Sequence, residues 1–238
     1  MAAAARFIKK LKSIFFYMSD FFSQYPGYAG DSRIPHPLPC EYAVNVLNNM
    51  RDGFFVDVGA HNGIAWSNTL IFEKLFGWRG ISIEGNTDLY NELVANRECE
   101  CLNYAVNDDI TEQTFWNITG YASGIGGLES GFKNDHANRI ARELISHPDD
   151  VCIKKQVFPK RLGEILSERD ISHIDYLSID VEGNELCVLK SLDFNCVTVS
   201  LISAESNERD AVSAYLAQYG YSLLQKICAD DFYARLKK

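Results

Sequence analysis

Apolar, β-prone runs recur along the chain at 54–58, 80–83, 101–106, 174–179 and 197–204. Each is short and rich in β-branched or aromatic residues, which predicts short buried strands rather than helical segments. Between several of them the apolar positions fall into a helical period, at 66–76, 88–96, 161–169 and 184–192. Strands that alternate with helices predict parallel βαβ units, and strands that are apolar throughout fit a sheet covered on both faces. Near the end, 210–219 reads as a helix stopped by Gly220, followed by strands at 221–227 and 232–236.

The first 39 residues pattern differently. Phe7, Leu11, Phe15, Met18 and Phe22 share one helical face over 6–22, and Arg6, Lys9, Lys10 and Lys12 crowd the start of the same stretch. Such a helix docks on its own domain or on a partner protein, with an anionic membrane surface as the alternative. The longest apolar run here, 14–18, is too short to cross a bilayer, and no small-residue cleavage site follows it. Residues 25–39 are rich in Pro and Gly and read as a linker, so 1–39 is expected to be an extension and 40–238 the main domain, opening with a helix over 41–50. Residues 111–159 are irregular in pattern and carry Gly120, Gly124, Gly126, Gly127 and Gly131. A long glycine-bearing insertion of this kind forms either a lid or acceptor pocket, or a passive excursion.

Of the 238 residues, 47% are hydrophobic and 23% charged, which excludes a disordered or collagen-like chain. The net charge of −9 argues against a nucleic-acid partner, because phosphate binding needs clustered Lys and Arg. Seven cysteines is an odd number, and the C-x-C pair at Cys99 and Cys101 lacks the second pair a zinc site requires. Apolar neighbours around Cys101, Cys187 and Cys228 predict buried thiols and a cytoplasmic setting.

The strongest chemical signal is the strand that runs through Asp57 into Gly59, Ala60, His61, Asn62 and Gly63. Glycines there let a ligand approach the backbone. His61 and Ile64 stand where a dinucleotide fingerprint wants glycines, and no Lys follows to meet phosphate, so neither NAD nor a polyphosphate fits well. An acid beside open glycines suits S-adenosylmethionine, with its amino, carboxylate and sulfonium groups; a turn that merely packs is the alternative. Glu84 ends the next strand 27 residues on, where an α/β nucleotide site places a carboxylate against ribose hydroxyls. After a third strand, Ala105 and Val106 are placed to meet an adenine edge. A fourth strand delivers Asp180 and Glu182, with Glu185 close behind to cap the next helix, and three acids within six residues are costly to crowd together.

The segments FVDVGAHNG, GISIEGN, NYAV and IDYLSIDVEGNELCVLKSL, with the later LISAESN and YLAQYGYSLL, resemble the successive motifs of FkbM-type methyltransferases in order and spacing. The resemblance covers residues from about Arg51 onward. It implies an α/β fold with a doubly wound, mostly parallel, seven-stranded Rossmann-like sheet. It also implies S-adenosylmethionine as donor and O-methylation of a hydroxyl, with a sugar or glycoconjugate as acceptor. The implied donor contacts are Asp57, Gly59, Ala60, His61, Asn62, Gly63, Glu84, Gly85, Asn86, Ala105, Val106 and Asp180. The methionine portion would lie between Gly59 and Gly63, and Asp180 near the transferable methyl. Asp180 and Glu182 are the expected catalytic acids, acting without metal; the alternative is Mg or Mn held by Asp180, Glu182 and Glu205. Two departures from the family stand out: His61 fills a turn position that is usually smaller or amide-bearing, and 123–133 match only loosely. Competing readings are an inactive scaffold on the same fold and, behind it, a nucleotide-dependent oxidoreductase.

Overall fold

The computed structural model describes residues 37–133 and 135–235, together with Phe21, Gln24 and Tyr25. The amphipathic pattern over 6–22 therefore lies outside the described residues apart from Phe21, whose ring is buried in the core.

Helix α1 (Pro39–Val46) starts on a proline, and Glu41 turns back to accept the Leu38 amide at 2.7 Å. Strand β1 (Phe54–Val58) leads through the glycine turn to α2 (Leu70–Phe76), which Gly77 ends at φ 70°. Then follow β2 (Arg79–Ile83), α3 (Thr87–Asn96) capped by the Asn86 side chain, and β3 (Glu100–Leu102). The insertion holds β4 (Gln113–Ile118), β5 (Gly127–Leu128), α4 (His136–Ser146) and β6 (Cys152–Val157). The chain closes with α5 (Leu162–Ser167), β7 (His173–Ile179), α6 (Glu185–Lys190), β8 (Thr198–Glu205), α7 (Arg209–Ala217), β9 (Tyr221–Ile227) and β10 (Asp230–Arg235).

Seven strands form one sheet in the order β3-β2-β1-β7-β8-β10-β9. The pairs among β3, β2, β1, β7 and β8 are parallel, and β10 runs antiparallel to both neighbours. Alternate residues feed two cores. Val56, Val58, Leu177, Ile179 and Ile202 pack under α5, α6 and α7, whereas Phe55, Tyr176, Leu201 and Phe232 pack against α1 and α2. Burial on both faces is why these strands read as unbroken apolar runs. Strand order reverses between β1 and β7, and in an open α/β sheet a ligand crevice forms beyond the carboxyl ends at that point.

Several expectations are corrected. The insertion is not irregular: β5-β4-β6 is an antiparallel sheet packed with α4 over Ile118, Ala122, Ile125 and Ile140. Its strands QTFWNI, GL and CIKKQV mix polar residues among few apolar ones, which hid them from a search for apolar runs. The helix expected from residue 66 begins only at Leu70: Trp66 stands at φ 58°, outside the helical range, and Ser67 Oγ accepts the Thr69 and Leu70 amides just ahead of the first turn. The third strand stops at Leu102, where Asn103 spends its side-chain amide on the Glu84 and Gly85 carbonyls. Cys101 on the edge strand β3 and Cys187 on α6 are only partly buried, and Cys228, in the turn between β9 and β10, is exposed. All seven cysteines are unbonded, and among the described residues no helix is long and apolar enough to cross a membrane.

Candidate active site

The crevice is a cavity of about 1040 Å³ beyond the ends of β1, β2, β7 and β8. Its first wall is the glycine turn. Gly59 has φ 85°, and a Cβ there would sit 1.6 Å from the Asp180 carbonyl oxygen, so only glycine lets β1 and β7 end this close together. The turn is pinned from behind by Arg97, whose side chain is fully buried. It donates to the Gly63 carbonyl and Ser67 Oγ at 3.3 Å each, to Thr69 Oγ1 at 3.1 Å, and pairs with Glu73 at 3.1 Å. Thr69 in turn donates to Asp57 Oδ2 at 2.6 Å. Breaking such a buried pair by removing one partner costs about 3–5 kcal/mol, so this network holds the turn rigid.

Twelve expected site residues line the cavity: Asp57, Gly59, Ala60, His61, Asn62, Glu84, Gly85, Asn86, Ala105, Val106, Asp180 and Glu182; Glu205 joins them. Gly63 does not. A Cβ on it would strike Leu93 and Arg97 at 2.7 Å, so it serves the packing of the turn on α3 rather than the ligand side. Asn62 and Asn86 line the wall but commit their side-chain oxygens to backbone amides of their own turns. His61 Nε2 lies 3.4 Å from Ser123 Oγ of the insertion, and burial holds the imidazole pKa down, in its neutral form. Its Nδ1 has no hydrogen-bond partner among the described residues.

The acids divide by place. Glu84 is buried at the end of β2, where its two oxygens accept the His61 amide at 2.8 Å and the Asn86 amide at 2.7 Å. Burial nevertheless pushes its carboxyl up to about 7. Asp180 follows β7 and is exposed to the open cavity. Desolvation by the surrounding cavity walls first, then the like charges of Glu205 and Glu182, raise its pKa above the usual carboxylate range. The alternative metal set of Asp180, Glu182 and Glu205 is not assembled: among the described residues no group of three or more acids, histidines or cysteines could hold an ion. Glu182, at φ 55°, turns its carboxylate toward His136 and Arg139 of α4 instead of toward Asp180 and Glu205.

Sequence reasoning missed Asp230. It lies opposite Glu205 in the β8–β10 register, only 6% exposed, and lines the same cavity. Its Oδ1 accepts from Asn68 Nδ2 at 3.0 Å, and Asn68 also reaches Ser178 Oγ at 3.3 Å. Burial and then Glu205 push its carboxyl up to about 7. The signal was present in the acidic pair Asp230-Asp231, but starting the last strand at Phe232 left both acids in a loop. Tyr121 and Arg139 of the insertion also line the cavity, so the insertion forms a wall of it.

Raised carboxyl pKa values fix the sign of the pH dependence of stability. Glu84 and Asp230 hold protons in the folded state that the unfolded chain has lost, so their contribution is complete below about pH 4 and vanishes as pH rises through 7. The ligand-free protein is expected to melt roughly 10 °C lower at pH 8 than at pH 5.5, for about 2 kcal/mol of lost stability from each of the two groups. Calorimetric scans across that range check it, and a rising melting temperature would contradict the assignment.

Among solved structures, similar chains include the METTL16 methyltransferase domain, at 12% identity and TM-score 0.41 over 83% of this chain and 66% of that one. The precorrin-6y C5,15-methyltransferase from Geobacter metallireducens GS-15 is 11% identical, with TM-score 0.42 over 88% and 96%. A human methyltransferase 10 domain containing protein is 11% identical, with TM-score 0.40 over 89% and 90%. Curated protein sequences give no match. The Methyltransferase FkbM domain model matches residues 57–223, a span that runs from the acid of β1 to the middle of β9 and takes in the glycine turn, Glu84, Asp180 and Glu205. By that match over most of its length, the chain belongs to the FkbM methyltransferase family.

Proposed function

We propose that the protein is an S-adenosylmethionine-dependent O-methyltransferase whose acceptor is a hydroxyl of a sugar or glycoconjugate. One observation carries the donor assignment: the open turn at Gly59, the buried Glu84 and Asp180 meet in a single cavity. The residues fit that donor. The volume of about 1040 Å³ has room for donor and acceptor together, and Glu84 keeps lone pairs beyond the two spent on backbone amides. His61 Nδ1 is a polar atom in the turn still without a partner. Bound S-adenosylmethionine supplies an electrophilic methyl on a sulfonium, with a neutral thioether as leaving group.

The chain's own residues bind, align and take up a proton. Glu84 accepts from ribose hydroxyls, the Gly59–Ala60 backbone admits the amino-acid portion, and the walls exclude water. Asp180 accepts the acceptor's hydroxyl proton as the new bond forms. Beside a bound cationic donor, the like-charge repulsion around Asp180 would be offset, which favours the carboxylate form that this step needs. The choice of a sugar hydroxyl is supported by the family resemblance.

S-adenosylhomocysteine is expected to stabilise the fold by about 2.7 kcal/mol at 100 times its dissociation constant, while NAD has no effect. Glu84→Ala should remove most of that shift. Thermal melts that respond to NAD and not to S-adenosylhomocysteine would sink the donor assignment. Labelled donor offered to a panel of carbohydrates tests the acceptor, and methyl transfer to amines or carbons alone would overturn O-methylation.

A further inference from the structure

The insertion and the loop after β7 interlock. Gly183, at φ 109°, lies so close to Gly131 that a Cβ on it would stand 2.2 Å from the Gly131 carbonyl oxygen. Next to it the buried Asn184 donates to the Leu128 carbonyl at 3.4 Å and accepts from Asn107 Nδ2 at 3.1 Å. From beneath, Glu185 Oε1 accepts the Gly183 amide at 2.8 Å and the Val181 amide at 3.3 Å. The course of the loop is thus set on both sides, and it aims Glu182 at α4. There Glu182 Oε2 stands 3.6 Å from Arg139 Nη1 and 3.7 Å from His136 Nδ1.

The His136 ring is held in place for this contact. It packs against Phe132 at 4.4 Å between centroids, Phe132 meets Trp116 edge-on at 5.2 Å, and His136 Nε2 lies 3.0 Å from the Ile125 carbonyl oxygen. A carbonyl only accepts, so Nε2 carries a proton and Nδ1 is the nitrogen presented to Glu182. Burial pushes the Glu182 carboxyl up to about 7 and holds the His136 imidazole down, so Arg139 is the cation that the ionised Glu182 faces. The three acids of one short segment therefore do three different things: Asp180 faces the cavity, Glu185 braces the loop, and Glu182 reaches across to the insertion.

We propose that Glu182 is a positioning residue that ties α4 to the Asp180 loop through His136 and Arg139, and so fixes the wall of the cavity that an acceptor meets. This takes Glu182 out of the chemistry its sequence neighbourhood suggested. The inference rests on the cavity being the donor and acceptor site proposed above. Both ends of the tie line that cavity, so the distance between Asp180 and the insertion depends on it.

Hydrogen exchange on the full chain tests the tie without an acceptor. Glu182→Ala keeps a non-glycine residue at the positive φ but removes the contact. It should speed amide exchange across 121–146 about fivefold, with S-adenosylhomocysteine affinity unchanged within about twofold. The exchanged pair Glu182→Arg with Arg139→Glu should restore slow exchange. Arg139→Ala, a half-exposed and milder change, should give a smaller rise in the same segment. Unchanged exchange in Glu182→Ala, or fast exchange that the swapped pair does not restore, overturns the proposal. So does a more than tenfold loss of S-adenosylhomocysteine affinity, which would put Glu182 in the donor site. If the unaltered protein does not bind S-adenosylhomocysteine at all, the donor reading fails while the exchange measurements still decide the tie.

Discussion

Gly59→Ala is expected to abolish S-adenosylhomocysteine binding and to lower stability by more than about 4 kcal/mol, since its added methyl meets the closest contact among the described glycines. The added Cβ would lie 1.6 Å from a backbone oxygen, and that oxygen cannot retreat cheaply, because the Asp180 amide is bonded to the Val58 carbonyl at 2.9 Å. Relief requires the ends of β1 and β7 to part, which opens the cavity at its centre. Gly220→Ala is the matched control. Gly220 has a similar φ of 82° but nothing within 4 Å of its Cβ position, so it should lose only about 1 kcal/mol of backbone strain. Circular dichroism melts and titration calorimetry on the pair separate the two causes. Near-normal melting and binding in Gly59→Ala would show that the strand ends adjust, and the rigid-turn account would fall.

Asp180→Asn should keep S-adenosylhomocysteine binding and lose methyl transfer by about 10²-fold or more, because the amide keeps the shape of the carboxyl but cannot take the hydroxyl proton. The pH profile carries a second check. Asp180 has a raised pKa in the ligand-free protein, so its basic form accumulates as pH climbs, and transfer measured at limiting donor should rise with pH. Removing the neighbouring charge with Glu205→Gln should move that limb to lower pH, since Glu205 is the largest like-charge contribution at Asp180. Transfer rates measured with labelled donor at several pH values test both statements. Near-normal turnover in Asp180→Asn would remove it from the mechanism, and a limb that does not move in Glu205→Gln would remove Glu205 from its tuning.

What could be read along the chain was what neighbours in sequence decide. Apolar runs and helical periods marked β1, β2, β7, β8, β9 and most of the helices, because burial on one or both faces of an element leaves its period in the residues themselves. The turn after β1, Glu84 and Asp180 were legible because each sits at the end of a strand whose direction is known once a parallel α/β sheet is inferred. Which of them face one another was not. Strand order sets Asp180, Glu205 and Asp230 on neighbouring strands, and Asp230 is joined to Asn68 across 162 residues of sequence. No local pattern encodes a partner at that distance. The same limit hid the role of Gly63, which depends on α3 packing behind it, and of Glu182, whose direction is set by an insertion that contacts it only in the folded chain. Strand and turn chemistry belong to short stretches of backbone, whereas the division of labour among the acids is decided by register and packing between segments far apart in the sequence.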